Sequence, residues 1–229
     1  MTNLGDYQSA VDAVLADLAG NRIVDRLWQH DYTIWQNDPD EIINRLNWLH
    51  LPQAMLPRVY EITALVDSVV ADGYTHAVLL GMGGSSLAPE VFSKVYTGAK
   101  GLALSVLDST EPGAVQAVLD SHDLTKTLFV VSTKSGGTVE TLSFFKFFYN
   151  QVLDAFGESA AGQHFVSITD PCNKLQALAR TYHFRKTFLN DAQVGGRNSA
   201  LSFFGLVPAA LVGVDLNRLL DRAIRTESA

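Results

Sequence analysis

Cysteine is almost missing from this chain of 229 residues. Cys172 stands alone, so no internal disulfide can form, and the chain suits a reducing, cytoplasmic compartment. Charge is sparse as well. Charged residues make up 18% of the chain against 47% hydrophobic ones, a balance that argues against disorder and supplies a substantial core. Cations are outnumbered, with 17 Lys and Arg against 24 Asp and Glu, and the net charge of −7 repels nucleic acid and acidic membranes. Long apolar runs are missing too. The longest uncharged stretch, Asn198 to Val214, contains Pro208 and is too short for a convincing membrane span. Met1 to Asp6 is polar and shows no basic, apolar secretion pattern. The histidines (His30, His50, His76, His122, His164 and His183) have no metal-ligand spacing, so no metal site is expected.

What is present falls into two patterns. The first 74 residues read as a helical extension. Tyr7, Val11, Val14, Leu15 and Leu18 recur at helical spacing. Asp38-Pro39 offers a cap and a first-turn proline for a helix from Glu41 to Leu49 that would bury Ile42, Ile43, Leu46 and Leu49. Val59, Ile62, Leu65, Val66, Val69 and Val70 mark another helix, which Gly73 would end. From residue 75 to 229 short apolar runs alternate with helical segments. The runs are 77–80, 102–107, 128–131, 165–168 and 184–189, and the helices begin near Ser86, Glu111, Thr138 and Cys172. Apolar strands without polar alternation are covered on both faces, so the pattern predicts an α/β domain with a doubly wound, five-stranded parallel sheet. Flavodoxin-like order 2-1-3-4-5 is assumed for it. The fifth run carries Arg185 and Lys186, as an edge strand does. The helix from Thr138 to Phe156 is apolar over most of its circumference. A thick core would explain that, but a subunit or domain interface is the expectation.

Chemistry concentrates in three strand-to-helix loops. The first, 81–86, reads Gly-Met-Gly-Gly-Ser-Ser, and its glycines allow close backbone approach to a ligand beside a helix start. It approaches a dinucleotide fingerprint, with Asp108 at the end of the next strand, although Ser86 replaces the third glycine. The second, 132–138, sets Ser132, Thr133, Lys134, Ser135 and Thr138 around two glycines as an anion cradle. The plain alternative is a helix cap formed by Thr138. The third, 190–199, brings Gly195, Gly196 and Arg197 to the start of an apolar helix, where a guanidinium suits an anionic substrate or a developing oxyanion. A surface pairing of Arg197 with Asp191 is the alternative. In the assumed strand order the first two loops face each other across the switch-point crevice.

The stretches GMGGSSLAPE (81–90), STKSGGTVET (132–141) and VGGRNSALSFFGLVPAAL (194–211) together resemble the phosphoglucose isomerase family. The earlier LWQHDYTIWQNDPDEIINRLNWL (27–49) is similar to the isomerase part of fused transaldolase–glucose-6-phosphate isomerases. The resemblance implies a first sugar-isomerase (SIS) domain at 75–229. It implies that Gly84 and Ser85 sit at the sugar-phosphate site, with phosphate bound by Thr133, Lys134, Ser135 and Thr138. The family's loop usually reads Ser-Lys-Thr-x-Thr-Thr, so Gly137 loses a hydroxyl, and Asn198 stands where an aromatic is usual. Arg197 matches the arginine that stabilises the enediolate. The implied partners are a hexose phosphate, a second copy in a homodimer, and a second SIS domain. That second domain carries the glutamate base, the ring-opening histidine and a lysine, so this chain alone is expected to be inactive. No metal or organic cofactor is implied. Two rival readings are a non-catalytic phosphosugar sensor and, from the first loop and Asp108, an NAD-dependent enzyme.

Overall fold

The computed structural model describes residues 4–96 and 101–227, so residues 1–3 of the predicted extension and 228–229 of the predicted domain lie outside it. The helices are α1 (Gln8–Gly20), α2 (Ile23–Trp28), α3 (Leu51–Met55), α4 (Val59–Ala71), α5 (Gly84–Val95), α6 (Pro112–Ser121), α7 (Val139–Phe156), α8 (Glu158–Ala161), α9 (Lys174–Thr181), α10 (Phe203–Leu211) and α11 (Leu216–Glu227). The strands are β1 (His76–Gly81), β2 (Ala103–Leu107), β3 (Thr127–Ser132), β4 (Phe165–Thr169) and β5 (Lys186–Leu189), all paired in parallel in the order 2-1-3-4-5. The predicted architecture is therefore the one observed, with β5 at an edge.

The alternation of side chains along β1 shows why both faces are covered. Ala77 and Leu79 point into a cluster with Ile62 and Leu65 of α4, Phe203, Phe204 and Leu206 of α10, and Leu220 of α11. Val78 and Leu80 point the other way, into a cluster with Phe144, Phe145 and Phe148 of α7 and Leu175 of α9. Successive strand residues face opposite sides, so a strand buried on both sides reads as continuous apolar sequence. Residues of α3 and α4 share the first cluster with the sheet, and the helical segment before β1 is thus built into the core from Leu51 onward.

Two expectations are corrected. The segment 41–49 is not an α-helix. Glu41 has φ +62°, which breaks a right-handed helix, and the chain continues through tight turns at Ile43–Arg45 and Asn47–His50. Leu46 and Leu49 are buried as predicted, but Ile43 is exposed. The backbone turns away because it has a distant partner: Leu46 pairs antiparallel with Val194, and the Asn47 amide donates to the Gln193 carbonyl at 3.2 Å. Helix α1 forms where predicted; none of its side chains is buried, and Tyr7, Val14 and Leu15 are exposed. Second, the apolar surface of α7 is largely covered within the chain. Phe148 stacks on Phe129 at 4.9 Å, and Phe145 contacts Phe165, Tyr182 and Phe184 at 5.2–5.6 Å. A thick aromatic core accounts for that circumference, leaving Val139 exposed at the helix start.

Candidate active site

The sheet order places the loops after β1 and β3 side by side, because Gly81 and Ser132 are paired at the ends of adjacent strands whose connections leave in opposite directions. Between them lies a cavity of about 410 Å³ lined by Met82, Gly84, Ser85, Thr133, Lys134, Ser135 and Thr138, with Arg45, Asp170 and Gly196 at its margins. It adjoins a second cavity of about 840 Å³, bounded by Arg197, Asn198 and the Trp35–Trp48 segment, with Arg45, Gly84, Lys134 and Gly196 shared by both. Gly84, Ser85, Thr133, Lys134, Ser135 and Thr138 are thus brought together, and Arg197 stands beside them across Gly84.

Each loop has a local reason for its shape. Gly83 caps α5 at φ +55°, ψ −123°, a conformation essentially closed to other residues. Gly84 has no room for a side chain, since a Cβ there would lie 2.6 Å from the carbonyl carbon of Gly196. That close approach seats the third loop on the N-terminus of α5. Ser86 is buried and donates to the Gly83 carbonyl at 2.9 Å and to Asp108 at 3.4 Å, so Asp108 braces the turn beneath it.

In the second loop, Thr138 occupies the cap position of α7 but makes no side-chain cap bond. Its hydroxyl instead meets that of Thr133 at 2.7 Å. The first turn of this long helix is left without a side-chain cap at the cradle, where its dipole and amides favour an anion. The loop is tied to the end of β4: the Thr133 amide donates to the Ile168 carbonyl, the Asp170 amide to the Lys134 carbonyl, and Asn173 Nδ2 to that same carbonyl at 3.1 Å. Gly136, at φ +68°, lies flat against the Asn173 side chain.

Two charged groups differ in their readiness. The Lys134 ammonium is engaged, pairing with the Asp170 carboxylate and donating to the Ala192 carbonyl at 2.7 Å. Asp170 was not foreseen from the sequence. Burial raises its pKa above the ordinary carboxylate value, outweighing the opposing pull of Lys134, and its Oδ1 is buried without a hydrogen-bond partner. Arg197, by contrast, is exposed on a short turn (Gly196–Asn198) and has no hydrogen-bond or ion-pair partner among the described residues. The anticipated alternative, pairing with Asp191, does not occur, because Asp191 accepts from Asn47 Nδ2 and the Gln193 amide. Sequence reasoning also missed Arg45, Trp35 and Trp48. Nothing local marks them, since their segment meets the third loop through nonlocal contacts, the Leu46–Val194 pairing and the Asn47 hydrogen bonds to Gln193 and Asp191.

The chain is thus a doubly wound α/β domain with a hydroxyl-, lysine- and arginine-lined crevice at its switch point, the place where such folds offer a small-molecule site. Comparison with known proteins narrows the class. A family model described as phosphoglucose isomerase matches residues 55–226. Curated relatives include the glucose-6-phosphate isomerases of Trichormus variabilis (29% identical over 98% of this chain and 42% of that protein) and Thermus thermophilus (38% identical over 62% of this chain and 34% of that protein). Among solved structures, a hypothetical protein from Thermus thermophilus superposes with a TM-score of 0.82 at 28% identity, over 97% of this chain and 51% of that one. A glucose-6-phosphate isomerase from Chlamydia trachomatis shares the fold at a TM-score of 0.69 and 22% identity, over 80% of this chain and 38% of that one. The chain belongs to the phosphoglucose isomerase family. It spans less than half the length of the curated relatives it matches.

Proposed function

We propose that this chain is the phosphate-anchoring part of an isomerase that interconverts glucose 6-phosphate and fructose 6-phosphate through an enediolate. The carrying observation is the seating of Gly196 on Gly84, which holds Arg197, unpartnered among the described residues, beside the hydroxyl-and-lysine cradle. Ser85, Thr133, Lys134, Ser135 and Thr138 hold the phosphate, beside the start of α7, where Thr138 makes no side-chain cap bond. Fixing the remote phosphate orients C1 and C2 without touching them, so binding energy is turned into positioning. The sugar then extends into the larger cavity. There Arg197 stabilises the negative charge that develops on oxygen as a proton leaves C2. The carboxylates bordering these cavities are Asp40, Glu41 and Asp170, and two of them already serve other cations: Glu41 pairs with Arg45 and Asp170 with Lys134. The general base that carries the proton between C2 and C1 comes from outside residues 1–229, in a second SIS domain. The reaction needs only acid–base groups and charge stabilisation.

Calorimetric titration of the chain with fructose 6-phosphate, beside a coupled isomerase assay, tests this reading. Binding without meaningful turnover is expected. Absence of binding refutes the anchoring role, and normal turnover refutes the external base.

A further inference from the structure

The anion cradle holds less free positive charge than its residue types suggest. Lys134 enters it already neutralised by Asp170, whose carboxylate lines the same cavity and whose second oxygen is buried without a hydrogen-bond partner. A dianionic ligand placed there meets that carboxylate as well as the ammonium. Some other cation must compensate, and the cavity wall contains one: Arg45, from the segment that precedes the sheet.

We propose that Arg45 is a phosphate-binding residue, a second cation that completes the cradle from the N-terminal segment. This inference rests on the sugar-phosphate reading above. Arg45 borders both cavities, the one lined by Ser85, Thr133 and Thr138 and the one lined by Arg197. Its backbone is held in place by the Leu46–Val194 pairing and by the Asn47–Gln193 hydrogen bond. Its stem lies along the third loop, with Cβ and Cδ at 3.6 and 3.8 Å from where a Gly195 side chain would begin. Among the described residues the guanidinium is held by Glu41 alone, an i,i+4 pair in which the glutamate is 75% exposed. Such an exposed pair contributes little, so the guanidinium is free to exchange its partner for a phosphate, whose oxygens match its planar fork. The broken helix at 41–49 thereby acquires a purpose: an unbroken one would not run alongside residues 193–195.

The test is calorimetric titration of the 229-residue chain and its variants with inorganic phosphate and with fructose 6-phosphate. Arg45→Ala is expected to weaken both ligands by about 10- to 100-fold, the contribution of one charge-assisted hydrogen-bonded contact. Arg45→Lys should recover part of that loss, and Glu41→Gln, which releases the guanidinium, should tighten both. An unchanged denaturation midpoint for Arg45→Ala separates binding from folding; if that variant misfolds, the Glu41→Gln result decides, with no tightening refuting the proposal. Unchanged affinity in Arg45→Ala, with loss in Lys134→Ala, overturns the role of Arg45 and leaves the sugar-phosphate reading standing. Weakening of fructose 6-phosphate alone moves Arg45 to the sugar end and overturns its assignment to phosphate. Failure of the unmodified chain to bind either ligand overturns both.

Discussion

Replacing Gly84 by alanine is the sharpest test of how the site is assembled. The new Cβ would lie 2.6 Å from the Gly196 carbonyl carbon and 3.3 Å from the Arg197 amide nitrogen, with the Gly196 oxygen closer still. Carbon atoms pack at about 3.5–4.0 Å, so the loop must retreat by about 1 Å. Both neighbours are backbone, and no flexible side chain can swing aside to absorb the strain. Overpacking of this kind costs about 1–3 kcal/mol, and for a chain of this size each kcal/mol lowers the melting temperature by about 2–4 °C. The expected fall is therefore about 2–12 °C by thermal unfolding. The loop that moves is the one carrying Arg197, and a displacement of about 1 Å costs on the order of 100-fold in rate when the geometry of reaction depends on it. Under the proposed function, the complete isomerase bearing Gly84→Ala should lose that factor in kcat. Gly137→Ala is the control: its Cβ would meet nothing within 4 Å, although it sits in the adjacent cradle loop. Equal stability and activity for the two variants would refute the argument that Gly84 exists to admit Gly196.

Arg197→Ala should lower kcat of the complete isomerase by about 3–4 kcal/mol of transition-state stabilisation, roughly 100- to 1,000-fold, with the melting temperature unchanged because the side chain is exposed and unpartnered among the described residues. Steady-state kinetics with undiminished kcat would exclude Arg197 from the chemistry. His164 offers a pH test. Burial between the Phe156 and Tyr74 rings, at 4.6 and 5.3 Å, lowers its pKa below the ordinary imidazole value, with the positive charge of Arg185 acting in the same direction. The unfolded chain therefore takes up a proton at higher pH than the folded one, so His164 removes stability as pH falls below neutrality, until the folded form also protonates. His164→Phe keeps the ring and abolishes that titration. The stability of the variant relative to the parent, from urea midpoints at stepped pH, should rise on acidification; parallel curves would contradict it.

Much of the scaffold was legible because it is encoded locally. The five apolar runs lacked alternation, and each became a strand of the parallel sheet, with clusters packed on both of its faces. Gly73, at φ +84°, ends α4 where the periodicity stops, and Glu111 caps α6 through the Ala114 amide at 2.8 Å. The α9 start moved two residues past Cys172, since Cys172 adopts φ +62° and Asn173 takes the cap. Hydroxyls, a lysine and glycines singled out the second loop, an arginine beside two glycines singled out the third, and the structure brings these loops together. The helix expected at 41–49 failed for a nonlocal reason: its apolar spacing was genuine, but backbone pairing with residues 193 and 194 prevailed over local helical preference.

The sequence by itself determined the elements and the kinds of chemistry each loop carries, because hydrophobic period, glycine and caps act over a few residues. Only the tertiary structure decided which charges are spoken for. Asp170 lies 36 residues from the Lys134 it neutralises, and Asn47 lies 144 from the Asp191 it binds. Whether a cation is free or paired depends on contacts in space between such distant positions, and no local period records them.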